Sequence, residues 1–370
     1  MHHIVRQRIG FFQWDWLVKA FIEVDLAWYN TVAGRKGAIM VRHVRRVRGI
    51  VWLVMLATVF AGKALQAAEE QGKDQGVEPY VVTTKARVMQ STPKWTGSRL
   101  PDGRPLVSED ILKRMKSVPV TMAWTILTNG GYRNCFENAT GWVVLRPEEA
   151  IVGRVLTAQY MPLQPDINEA IMRQGKAEGR IGNSNSWPID MLQKGDVYVA
   201  DGFGKVVDGT LMGDNLANSI YAKSGNGVIF NAGVRDQEGI EEIKGFNAWH
   251  KGADPSFLKE VMLTGINVPI RIGRAIACPG DVVLAKREGM VFIPAHMAEK
   301  VVTESEVITL KDTFGHQRLR EGKYTPGQID ARWSAEIQND FRAWLKANAN
   351  QLPVPKETIE SILNSPQRNY

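Results

Sequence analysis

The chain is short of the residues that metal scaffolds and disulfide frameworks need. Its 370 residues include two cysteines, Cys135 and Cys278, and six histidines. No CxxC pair or Cys/His cluster is present, which removes zinc-ribbon folds and disulfide-built cores from consideration. Two buried thiols are the expected state of the cysteines, although an oxidising compartment would also let them pair. A GxSxG elbow and an HExxH helix are both missing, so serine-hydrolase and zincin chemistry lack their defining residues. The glycine-rich stretch GFGKVVDG, Gly202 to Gly209, has neither P-loop nor dinucleotide spacing. The apolar run Gly49 to Gly62 stops at Lys63, short of the roughly 20 residues a spanning helix needs. The body of the chain also lacks excess charge of either sign. Residues 1–68 hold ten Lys/Arg against three Asp/Glu, which is the whole net charge of +7, whereas residues 69–370 hold thirty-six of each. A neutral body carries no electrostatic footprint for nucleic acid.

What is present begins with a leader. From Met40 the sequence reads MVRHVRRVRGIVWLVMLATVFAGKALQAAEE, with Arg42, Arg45, Arg46 and Arg48 ahead of the apolar run and small residues after it. That is the layout of a secretory signal peptide, cleaved near Ala67 or Ala68, with Leu65 or Gln66 where a small residue is preferred. The expected location is therefore periplasmic or secreted, with an uncleaved amino-terminal membrane anchor as the alternative. Residues 1–39 read as an upstream extension not native to the protein. Residues 69–105, polar and rich in Pro and Gly, read as a linker or arm. Residues 106–328 read as an α/β domain and 329–370 as a helical extension.

Within the domain, Ser108 ahead of EDILKRM predicts an N-capped helix, and VTMAWTIL predicts a second that stops at Asn129-Gly130-Gly131. GWVVL, IVGRVLTAQY, GDVYVA and GVIFNAG then read as strands, with a helix between the last two. This alternation predicts a partly parallel sheet covered by helices. VPIRIGRAIACPGDVVLAKREGMVFIP reads as three short strands divided by Pro-Gly-Asp and Arg-Glu-Gly turns, hence an antiparallel portion. HMAEKVVTESEVI and ARWSAEIQNDFRAWLKANA read as helices. In the latter region Trp333, Ile337, Phe341 and Trp344 share one apolar face, expected to pack on the core or on a neighbouring protomer. Trp124, Trp142, Trp187 and Trp249 read as core residues. His250 ends a strand-like segment near the candidate site.

The chemistry concentrates between Gly213 and Asp236. Asp214 and Asn215 are strong cap residues ahead of LANSIYAKSG, whose apolar residues have helical spacing. A helix start offers free amides and the positive end of the dipole to a carboxylate or phosphate. The next apolar strand ends at Arg235-Asp236, a guanidinium suited to bidentate contact and a carboxylate suited to a hydrated divalent cation. If the strands preceding both segments are parallel neighbours, the two ends share one pocket. Singly, each element reads as a cap or a solvated turn; the combination points to a site. Asp201, Asp208, Asn231, Lys251 and Asp281 flank it as supporting candidates.

The pieces GRVLTA, KGDVYVADG, MGDNLANSIYAKSGNGVIFNAGVRD and PIRIGRAIACPGDVVLAKREGMVFIP, between about Val152 and Val302, resemble the RraA-like family. That family includes the class II 4-hydroxy-4-methyl-2-oxoglutarate aldolases, and GDNLA followed by GVRD is its specific signature. The resemblance implies an α/β fold, a swivelling β/β/α domain with a mixed sheet, assembled as a homotrimer or homohexamer with sites at subunit interfaces. It implies that the amides of Gly213, Asp214, Asn215 and Leu216 bind a substrate carboxylate. Arg235 would bind substrate oxygen as a catalytic residue, Asp236 would help hold Mg²⁺ or Mn²⁺, and Asp214 is a candidate base acting through a water. The implied reaction is carbon–carbon cleavage of a 2-oxo or hydroxy acid through a metal-stabilised pyruvate enolate, with oxaloacetate decarboxylation by the same route. Lys286-Arg287-Glu288 departs from the family's more usual acidic turn, which leaves Glu288 open as a contact to a neighbouring subunit. The family also holds non-catalytic regulators that bind RNase E, some without the acid after the arginine. Asp236 is present here, and an export signal with a neutral body fits an RNA-decay regulator poorly. A non-catalytic binding oligomer and a sugar-acid lyase or dehydratase on the same pocket are the alternatives. The family's older label of menaquinone methyltransferase has no glycine-rich nucleotide loop behind it.

Overall fold

The structure is a computed structural model that describes residues 81–365; the signal-peptide and upstream-extension readings concern residues outside that range. Helices α1 (Lys85–Ser91), α2 (Glu109–Met115) and α3 (Val120–Asn129) precede strands β1 (Phe136–Asn138), β2 (Val143–Val144) and the long β3 (Ile151–Pro162). Helices α4 (Pro165–Ala177) and α5 (Trp187–Asp190) lead to β4 (Asp196–Asp201), α6 (Asp214–Ser224), β5 (Val228–Asn231), β6 (Gly233–Val234) and α7 (Gln237–Glu241). Short strands follow: β7 (Ala248–His250), β8 (Gly252–Ala253), β9 (Val261–Ile266), β10 (Ile270–Ile272), β11 (Ala275–Ala277), β12 (Val282–Lys286) and β13 (Gly289–Ile293). Helices α8 (Ala298–Arg320), α9 (Pro326–Asp330), α10 (Ala335–Asn348) and α11 (Lys356–Asn364) complete the described chain.

Local chemistry accounts for the helix limits. Ser108 Oγ accepts from the Ile111 amide, Glu109 and Asp110 occupy the first turn of α2, and Lys113 and Arg114 occupy its last, each favourable to the helix dipole. Helix α3 ends at Gly130 as expected. Two expectations are corrected. The 268–294 region holds four strands rather than three, because Gly273, at φ +56°, turns IRIGRAIA into the hairpin β10–β11. Trp124 is not core but 42% exposed, whereas Trp142, Trp187 and Trp249 are buried.

The main sheet runs β1-β13-β12-β3-β4-β5-β7-β2, with β9 also paired to β3. Strands β3, β4, β5 and β7 are parallel, and β12, β13, β1 and β2 add antiparallel neighbours. Both faces are covered, so the central strands read as continuous apolar runs whose alternate side chains serve two cores. Tyr198, Ala200 and Phe230 pack with Ile171, Trp187 and Ile220 on the helical side. Val197, Val199 and Ile229 pack with Ile270, Ile272 and Ala277 of the hairpin on the other. A third cluster joins α2, α3 and α8 to the antiparallel edge through Met115, Leu127, Val301, Leu284 and Val291.

The arm is built into this body. Val82 bridges Ile266 of β9, and Arg104 is wholly buried. Its Nε lies 2.7 Å from Asp102 Oδ2 and its Nη2 2.9 Å from Asp196 Oδ2, while Arg154 Nε lies 3.1 Å from Asp196 Oδ1. Two guanidinium groups and two carboxylates thus compensate one another where water cannot. At the other end, Ile337, Phe341 and Trp344 of α10 pack on Leu310 and Phe314 of α8, so the apolar face predicted for this segment is satisfied within the chain.

Candidate functional site

The site forms where two loops leave the parallel strands. After β4 the chain returns beside β6: Thr210 bridges Gly233 in parallel, the Leu211 amide donates to Gly233 O at 2.9 Å, and the Arg235 amide donates to Met212 O at 2.9 Å. This register sets Gly213 against Arg235-Asp236, the meeting of ends that the sequence pattern called for. The approach is close. A Cβ on Gly213 would stand 2.2 Å from Asp236 Oδ2 and 3.3 Å from Arg235 Cζ, so no larger residue fits there without moving the pair.

Gly213, rather than Asp214 or Asn215, is the residue that caps α6, and no side chain caps it. Asp214 lies inside the first turn, where its Oδ1 accepts from the Asn215 amide at 2.7 Å and its carboxylate packs beside Gly239 of α7. Among the described residues the amides of Asp214 and Leu216 have no acceptor, and they stand at the positive end of an eleven-residue helix. Free amides at a helix start can receive an anion.

Arg235 and Asp236 are both partly exposed, at 37% and 40%, with Arg235 Nη1 3.1 Å from Asp236 Oδ2. The Arg235 guanidinium also lies 5.9 Å from the Phe257 ring centroid, a neighbour that periodicity does not reveal because Phe257 sits in the irregular loop after β8. Asp236 holds φ 56°, ψ 43°, the left-handed region that side chains other than Gly, Asn and Asp avoid.

The flanking candidates divide. Asn231 Nδ2 donates to Asp201 Oδ1 at 2.7 Å, closing the ends of β4 and β5. Asp208 ties two loops, its amide donating to Ser256 Oγ at 2.6 Å and its carbonyl accepting from the Lys259 and Glu260 amides. Lys251 points to the β2 side, donating to Gly141 O at 3.2 Å over the Trp142 ring. His250 is buried, its Nδ1 3.0 Å from Gly252 O, and burial lowers its pKa. Asp281 belongs to a separate cavity with Cys278 and His296. Glu288 stands 3.5 Å from Thr121 Oγ1 of α3. Both cysteines are free thiols, Cys135 buried and Cys278 partly so.

Among the described residues no three His, Cys, Asp or Glu side chains gather to hold a metal. Asp236, paired with Arg235, is the carboxylate of the site that could hold a hard divalent cation, whose other ligands would be water or substrate oxygens. The site does not supply the ligands of a structural zinc.

A mixed sheet between a hairpin layer and a helical layer, with a helix start facing an Arg-Asp pair, defines a swivelling β/β/α domain. Residues 127–292 match the model of the RraA-like family, described as Aldolase/RraA. The fold is shared with an uncharacterized protein from Pseudomonas syringae pv. tomato, 19% identical with a TM-score of 0.50 over 63% of this chain and 98% of that one. Streptomyces coelicolor RraAS2, described as an unusual member of the RNase ES inhibitor RraA protein family, is 23% identical with a TM-score of 0.49 over 58% of this chain and 100% of that one. Protein DlpA of Legionella pneumophila is 27% identical over 171 residues, 44% of this chain. The match spans 24% of that relative's length. The family covers both metal-dependent aldolases and RNase E regulators.

Proposed function

We propose that this chain is a divalent-cation-assisted carbon–carbon lyase acting on 2-oxo or hydroxy acids, of the aldolase and oxaloacetate-decarboxylase type. The observation that carries the reading is the register that sets Gly213 against Arg235-Asp236. It supports the reading because a helix start, a guanidinium and a carboxylate lie side by side in it. The free amides of Asp214 and Leu216 receive the substrate carboxylate. Arg235, held at its backbone by Met212 and flanked by Phe257, orients the neighbouring oxygen and stabilises negative charge developing on it. Asp236 would hold Mg²⁺ or Mn²⁺; when bound, that cation supplies a Lewis acid at the 2-oxo group. Asp214, with Oδ1 occupied by the Asn215 amide, retains Oδ2 to take a proton through a water.

Assembly as a homotrimer belongs to the same reading. It is supported by the exposed apolar residues Phe203, Val207 and Phe257, the last beside Arg235. Light scattering of the purified chain tests it, and a monomer at micromolar concentration would count against it. Export is proposed from the basic-then-apolar leader alone, and amino-terminal sequencing of the protein from its native source decides it. For the chemistry, Gly213→Ala is the discriminating variant. The added methyl displaces the Asp236 carboxylate, so turnover should fall by about a hundredfold or more while the circular dichroism spectrum stays unchanged. Full activity in that variant would remove the site from the reaction.

A further inference from the structure

A cavity of about 410 Å³ lies between the arm and the antiparallel edge of the domain, and none of Gly213–Leu216, Arg235 or Asp236 lines it. One wall is the loop after α1. Arg99 fastens this loop from within: Nη1 donates to Thr92 Oγ1 and to Gly103 O at 2.8 Å each, and Nη2 donates to Thr92 O at 3.0 Å and to Trp95 O at 3.2 Å. Trp95 Nε1 donates to Ser98 O at 2.9 Å. Lys94 and Trp95 are therefore presented to the cavity on an ordered loop, as binding groups need to be.

Facing them are Tyr132 and His296. Lys94 Nζ donates to Tyr132 Oη at 3.3 Å, and Tyr132 Oη lies 2.9 Å from His296 Nε2. Burial and the Lys94 charge both lower the pKa of His296, and the direction of its hydrogen bond with Tyr132 follows the imidazole tautomer. The Lys94 ammonium has three N–H donors, of which the contact with Tyr132 uses one. Elsewhere in the lining stands Asp281, only 5% exposed, whose Oδ2 accepts from the Cys278 amide at 2.9 Å. Its Oδ1 has no hydrogen-bond partner among the described residues. The lyase chemistry uses none of these groups. The remaining lining holds Trp95, Ile276, Phe292 and Pro294 beside Arg133 and Asn134, and most of the cavity surface is apolar.

We propose that this cavity binds a small monocarboxylic acid with an apolar body the size of one aromatic ring, its carboxylate on Lys94 and a hydroxyl at the far end on Asp281. The volume falls within the roughly 300–1,000 Å³ of small-molecule sites, and apolar walls with a few placed polar groups are their usual composition. The same walls disfavour a polyhydroxylated sugar acid, which would leave its hydroxyls facing carbon. The site does not depend on the lyase reading, because its lining shares no residue with Gly213–Leu216, Arg235 and Asp236.

Isothermal titration calorimetry on the full chain tests the assignment, with benzoate, 4-hydroxybenzoate and benzyl alcohol as probes. The expected result is one equivalent of 4-hydroxybenzoate per chain, weaker binding of benzoate and none of benzyl alcohol. Lys94 is exposed at the cavity mouth, so Lys94→Gln should fold normally and weaken 4-hydroxybenzoate about tenfold or more. Arg235→Ala should bind it as the unaltered chain does. The proposal is overturned if neither acid binds, if Lys94→Gln keeps full affinity, or if Arg235→Ala abolishes binding.

Discussion

Asp236 holds a left-handed backbone at φ 56°, ψ 43° while its carboxylate fills the space a side chain at 213 would take. Backbone strain of this kind costs about 1–3 kcal/mol and collects at functional sites. Asn tolerates the left-handed region and Ala does not. Asp236→Asn should therefore melt at the temperature of the unaltered protein, whereas Asp236→Ala should melt a few degrees lower; both should lose turnover. Equal melting of the two variants would show that the conformation is not strained. At Asp281, burial raises the carboxyl from 3.8 to about 7, so the folded chain holds that proton more tightly than the unfolded chain. The resulting stability is complete below about pH 4 and is lost as pH rises toward 7. Asp281→Asn should flatten the pH dependence of thermal melting across that window. At this scale the sequence was legible where a residue type is chemically committed, as in GDNLA and GVRD. It was silent where contact comes from irregular loops: Phe257 beside Arg235 and Lys94 beside Tyr132 follow no periodicity.

The elements were legible to the extent that local rules set them. The cap at Ser108 and the stop at Gly130 are backbone chemistry, readable from a few neighbouring residues. The hairpin β10–β11 was missed because one glycine turn in IRIGRAIA leaves the apolar pattern unbroken. The arm looked like polar linker because RLPDGRP gives no sign that Arg104 enters the core to meet Asp196. That ion pair belongs to tertiary structure, 92 residues apart in sequence. Replacing Arg104 by Ala leaves buried carboxylate under-compensated and should cost about 3–5 kcal/mol, read by urea denaturation; a loss near zero would mean that Arg154 alone satisfies Asp196. In the carboxy-terminal bundle, Arg318 grips both oxygens of Asp340 at 2.8 Å. This contact, with Lys323 beside it, lowers Asp340 to about 2. Its contribution is present above about pH 4 and is lost as pH falls toward 2, so Asp340→Asn should blunt the acid unfolding followed by Trp fluorescence.

At the scale of the whole molecule, strand and helix alternation was enough to foresee a partly parallel sheet with an antiparallel portion, because both faces of a parallel sheet must be buried. The β/β/α arrangement came from the family resemblance rather than from periodicity, and the hairpin β10–β11 that forms one of its layers is seen only in the structure. The central claim is that the paired loops form one acid-binding, cation-assisted lyase site. Its most direct test is pyruvate release from oxaloacetate and from 4-hydroxy-4-methyl-2-oxoglutarate by chain beginning at Glu69, with Mg²⁺, with Mn²⁺ and with chelator. The account predicts turnover that needs the cation and falls to background in both Arg235→Ala and Asp236→Asn. Turnover that survives either substitution, or its absence in folded, oligomeric protein supplied with cation, would contradict it.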